Sequence, residues 1–141
     1  MNEKKAKKIL MIVGPIIVIG ALISLGIGIR DTRVEHQALL LSGNKRDLMA
    51  IVSGGIGMMI SALANLAEGV TSLLASRNAR FAGPAWLCSF FSVISNLVSG
   101  VSSIVNSGFS VMTLAGLITA LGLAINVYVA AGKLKKTHQN I

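Results

Sequence analysis

The chain is predicted to be all-α: a polytopic integral membrane protein with four transmembrane helices in a small, oligomerising bundle. Three observations carry that prediction. Residues 81–132 form a run of 52 positions without one charged side chain, between Arg80 and Lys133. A second uncharged run, the 21 residues 9–29, follows the basic leader Lys4, Lys5, Lys7 and Lys8. Finally, 53% of the 141 residues are hydrophobic, and Gly, Ser, Ala and Thr stand where a water-soluble helix would carry charge on its outer face. A chain of this size and composition reads as a single membrane domain, 1–141, with no separate soluble domain.

The first span is predicted over 9–29, where 21 residues rise about 31 Å and match a hydrocarbon core of about 30 Å. Pro15 falls in its second turn, where a local kink accommodates it. A secretory signal has the same basic start, but its apolar region is usually about 7–15 residues and ends in a small-x-small site. Gly26-Ile27-Gly28 is the one such site here, and cleavage there would leave three spans; the length of the run favours a retained helix.

Residues 30–47 are the predicted extramembrane loop, holding Arg30, Asp31, Arg33, Glu35, Lys45, Arg46 and Asp47 around the turn signal Ser42-Gly43-Asn44. Its moderately apolar middle, Val34 to Leu41, suits a short interfacial helix. Asp47 is placed to cap a second span over 48–76, whose 29 residues would rise about 43 Å and must tilt or protrude. After the basic link Arg77-Asn78-Ala79-Arg80, Gly83-Pro84 is expected to break the chain before a third span over 85–105. Asn106-Ser107-Gly108 forms a hairpin into a fourth span over 109–131, closed by Lys133, Lys135 and Lys136. With both termini and the Arg77–Arg80 link in the cytoplasm, nine basic residues lie inside and four outside. The expected location is therefore the cell membrane, with N- and C-termini cytoplasmic.

Several function classes lose support at this stage. The net charge of +8 resides at span ends, and no basic stretch carries interleaved aromatics for base stacking, so nucleic acid is not an expected partner. Cys88 is the only cysteine, and His36 and His138 are far apart without a second ligand at metal spacing, so no metal and no cofactor is expected. No Ser/His/Asp constellation or paired aspartates occur in a span, and enzymatic activity is not expected.

The informative positions are polar or small residues within the spans. At an offset of 31, Ser61, Asn65, Leu66, Gly69, Val70, Ser72 and Ser76 recur as Ser92, Asn96, Leu97, Gly100, Val101, Ser103 and Ser107. Ser61, Asn65, Glu68 and Ser72 share one face of the second span, and Ser92, Asn96, Ser99, Ser103 and Asn106 share one of the third. Away from water such faces turn toward another helix or a water-filled space, so they form either an interhelix seam or the wall of a pore. Gly20, Ser24 and Gly28 in the first span, and Gly116, Ala120 and Ala124 in the fourth, are small-xxx-small faces suited to close packing with each other or between subunits. Glu68 is the sole acid inside a predicted span: toward one register it is a boundary residue near Arg77 and Arg80, toward the other a buried protonatable group or cation site.

Short length, basic ends and several Gly/Ser-rich spans make the gross anatomy similar to phage holins and to small hydrophobic secretion-system subunits. A proton-translocating ring subunit also uses one membrane carboxylate, but Glu68 has Ser99 as its repeat counterpart and the 30–47 loop is long for such a hairpin. The expected function is a small self-assembling membrane subunit forming a pore or conduit. The alternative is a non-conducting structural tetraspan that scaffolds a membrane or a larger complex. Lipid and further copies of the chain are the expected partners, with other membrane subunits next.

Overall fold

The computed structural model describes residues 1–42 and 55–139. Among the described residues four helices follow one another: α1 Glu3–Ser42, α2 Gly57–Arg77, α3 Ala82–Ser107 and α4 Val111–Gln139, with a 3-10 turn, Ala79–Phe81, between α2 and α3. Each contains a segment long and apolar enough to cross a membrane. The chain runs up and down: α1 packs on α2 and α4, and α3 on α2 and α4, so the helices close a ring in chain order. The expected start of the second span at Leu48, its Asp47 cap and the Gly43-Asn44 turn fall outside the described residues.

Three boundaries differ from the sequence reading, the simplest being that α4 runs on to Gln139 through Lys133, Lys135 and Lys136 rather than ending at 131. The helix expected to end at Ile29 continues to Ser42, so residues 30–42, expected as loop, are the last turns of a 40-residue α1 about 60 Å long. Charge alone does not stop a helix: this stretch has no Gly or Pro, and Arg, Glu, Gln, Ala and Leu all have good helix propensity. Likewise Gly83-Pro84 does not precede α3 but lies in its first turn, behind the cap position Phe81. A proline there forfeits no hydrogen bond, because the first-turn N–H groups have no intrahelical acceptor.

The link between α2 and α3 is tight for a local reason. The Asn78 side chain accepts from the Arg80 backbone N–H at 3.0 Å, and the Asn78 N–H returns to the Leu74 carbonyl at 2.8 Å, so the reversal satisfies its own polar groups. At the other end Gly108, with φ of +81°, reverses the chain between α3 and α4 in a conformation that favours glycine.

Alanine dominates the core at the end holding both termini: Ala6, Leu10, Ala75, Ala82, Ala85, Val127, Ala130, Ala131 and Leu134 are all buried there. Small side chains let four backbones converge. The α1–α2 seam depends on glycine instead. A Cβ on Gly69 would lie 2.7 Å from Val18 Cγ2 and 3.0 Å from the Gly14 carbonyl oxygen, and one on Gly28 would lie 2.9 Å from Met59 Cγ. The backbones there approach as closely as small-residue helix pairs allow.

Gly69→Leu is expected to lower unfolding stability by about 1–3 kcal/mol, because Val18 and the Gly14 carbonyl leave no room. Gly122→Ala, with open space at its Cβ, is expected to be neutral within about 0.5 kcal/mol. Denaturation of the two variants in detergent, followed by far-UV circular dichroism, checks the contrast.

Candidate functional site

The two polar faces of the repeat come together as one seam between α2 and α3. The Ser61 hydroxyl lies 2.9 Å from that of Ser95 and donates to the Ser95 carbonyl at 3.2 Å. One turn on, Asn65 and Asn96 exchange amide hydrogen bonds in both directions, at 3.2 and 2.9 Å. Ser92 donates to the Asn65 side-chain oxygen and accepts from the Asn96 amide at 3.2 Å. The repeat explains the geometry. Antiparallel helices carrying the same Ser-x-x-x-Asn element meet so that Asn65 opposes its own counterpart Asn96, and the counterpart of Ser61, which is Ser92, opposes Asn65. The repeated glycines take equivalent outer places: Gly69 lies against α1, and Gly100 against Leu117 of α4.

Other predicted stripe residues stand apart from this cluster. Ser72 is buried but turns back on its own helix, donating to the Glu68 carbonyl at 2.7 Å. Ser99 is half-buried and lines a groove of about 400 Å³ with Ser61 and Ser95; Ser103 is also half-buried. The Asn106 side chain lies outside the described residues. Ser95 is the polar contact that sequence reading passed over. It lies three residues after Ser92 and one before Asn96, a spacing that places it on the flank of the same face.

Glu68 has a different environment. It sits near the middle of α2, nine residues before its end, and is 1% exposed. The Ser92 hydroxyl lies against its carboxyl, while the Oε1 atom is buried with no hydrogen-bond partner. A buried oxygen left without a donor is costly, and native structures keep few of them. The position next to Gly69 accounts for the burial, because the glycine contact brings α1 over this turn of α2.

Glu68 is one of the residues lining a cleft of about 450 Å³ between α1, α2 and α4. Its walls include Gly20 and Ser24 of α1 and Gly116, Thr119 and Ala120 of α4, and Asn65 also reaches it. Four of the six small residues expected to pack helices thus border open space, and a Cβ on Gly20 or Gly116 would meet nothing within 4 Å. The remaining two do pack: Gly28 against Met59 of α2, and Ala124 within the buried interior. Thr119 belongs to the same face of α4, at i+3 from Gly116, and went unremarked because threonine is common in apolar helices.

No protein-family model, no curated protein and no solved structure matches this chain.

The Asn65–Asn96 exchange is expected to couple α2 to α3 by about 0.6 kcal/mol, and by no more than about 1.7 kcal/mol, the range of interhelix polar contacts. A double-mutant cycle on Asn65→Leu and Asn96→Leu, read from unfolding in detergent, measures that coupling; additive effects would show that the pair contributes nothing as a pair.

Proposed function

We propose that this chain inserts in the cell membrane through its four helices, both termini cytoplasmic, and self-assembles into a conduit for protons or small cations that passes Glu68. The observation carrying this reading is the buried carboxyl with an unpartnered oxygen, on a residue that lines a cleft wide enough for water and bordered by Ser24, Thr119 and Asn65. An acid inside a span is costly and ordinarily functional, and it faces a bundle interior or a water-filled cavity. A single carboxyl flanked by hydroxyl and amide groups suits a proton or one small cation. Among the described residues no three His, Cys, Asp or Glu side chains gather around it to make a multidentate site.

The path runs along the α1–α4 cleft rather than the α2–α3 seam, since the seam's amides and hydroxyls are engaged with one another. Gly20 and Gly116 at the cleft edge leave room for a helix of a neighbouring copy, which would close the side of the path that four short helices leave open. Lipid and further copies are the partners of this reading, with other membrane subunits as additional ones, and no catalytic role is assigned.

The same closed seam favours a second reading, a non-conducting tetraspan scaffold, because polar groups that satisfy each other hold helices together without requiring water. Flux separates the two. Purified protein in liposomes is expected to dissipate an imposed potential or proton gradient, and Glu68→Gln to slow that dissipation at least about tenfold, as expected when the only acid in the path loses its charge. A defined oligomer that stays tight to protons, ions and dyes sinks the conduit and leaves the scaffold.

A further inference from the structure

We propose that the Lys-rich end of the bundle carries a binding site for the anionic headgroup of a phospholipid, in the groove between the start of α3 and the end of α4. The proposal rests on membrane insertion but not on conduction. The groove has a volume of about 580 Å³, and Lys133, Lys135 and Lys136 line it together with Trp86, Tyr128 and Gly132.

The groove has the parts that a phospholipid needs at the level where headgroup meets acyl chain. Trp86 and Tyr128 stack with ring centroids 5.2 Å apart, an amphipathic pair of the kind that gathers at membrane interfaces. Gly132 makes the floor for that pair: a Cβ there would lie 3.3 Å from Trp86 Cδ1, so the indole rests on bare backbone. The ammonium of Lys135 sits 4.5 Å above the Trp86 ring centroid, which fixes both groups. It also fills the aromatic face on which a choline headgroup would otherwise dock, so the groove selects against a zwitterionic choline lipid.

Charge points the same way. Three lysines face one groove, and among the described residues none of them pairs with an acid. Among the described residues Glu3, an acid at this end, is engaged by Lys7 at 2.7 Å and by His138 at 3.6 Å rather than by these lysines. A phosphodiester in the groove would supply the missing acceptors, while its acyl chains would run along the apolar outer faces of α3 and α4, where Leu87, Ile125 and Val129 are exposed. Basic grooves between membrane helices on the cytoplasmic side bind anionic headgroups in this manner.

Trp86 is the only tryptophan in the chain, so its fluorescence reports on this groove alone. The full-length protein is reconstituted in vesicles of phosphatidylcholine containing a fixed fraction of lipid with brominated acyl chains, either phosphatidylglycerol or phosphatidylcholine. The expected result is quenching at least about threefold stronger by brominated phosphatidylglycerol, falling to the choline level in the K133Q/K135Q/K136Q variant, since each lysine near an anionic surface contributes appreciably to attraction. A K4Q/K5Q/K8Q variant, with the same change in charge away from the groove, is expected to keep the preference. Equal quenching by the two lipids in the unsubstituted protein overturns the proposal while leaving membrane insertion intact. Quenching by neither lipid places Trp86 away from the bilayer and overturns both. A preference that survives the groove triple variant, or one abolished by millimolar glycerol phosphate in the aqueous phase, also overturns it, the latter by identifying a soluble phosphate site instead.

Discussion

The close approach of α1 to α2 is the constraint on which the rest of the bundle depends. Gly14, Gly69 and Gly28 remove the side chains that would hold the two helices apart, and the space left is occupied by Leu73, Val18 and Met59 from the facing helix. Between helices in an apolar environment the hydrophobic effect supplies little net attraction, so van der Waals contact at short range does most of the work. Because Glu68 immediately precedes Gly69, the contact that brings the helices together also covers the carboxyl. A costly buried group is therefore held in place beside a glycine contact.

Two kinds of polar burial coexist on α2 and have opposite consequences. Asn65 belongs to a set of groups that answer one another across to α3, donors matched to acceptors, and such a set specifies how the two helices register. Glu68, a single turn further on, shares Ser92 at the edge of that set but keeps an oxygen without a partner. The seam is complete without any ligand. The carboxyl keeps an unpartnered oxygen, and that difference separates the structural seam from the candidate functional site better than position in the helix does.

The two ends of the bundle differ for the same underlying reason. At the end with the termini, alanines at 75, 82, 85, 130 and 131 allow all four helices to converge, with Ala6, Leu10 and Leu134 filling the centre. Toward the other end α1 and α4 part. Gly20, Ser24, Gly116 and Ala120 then border a cleft, since small residues permit close packing but do not compel it. Outward from this frame, Ile12, Ile19, Ile23, Phe91, Val98 and Ile118 are exposed and give the bundle an apolar exterior.

The sequence by itself determined the helical class, the four apolar segments, the reversal at Gly108 and the polar face shared by Ser61, Asn65, Ser92 and Asn96, because hydropathy and helical periodicity are local properties read along one chain. It left the continuation of α1 to Ser42 unreadable, since the same charged residues serve equally in a loop or in a protruding helix. It showed that Glu68 is an acid within an apolar run without showing whether it is covered. The tertiary structure decided that, together with which small faces touch and which stand open, because both depend on the separation between helices distant in sequence. That separation is set by a few contacts, such as Gly69 against Val18, whose partners no periodicity within either helix can identify.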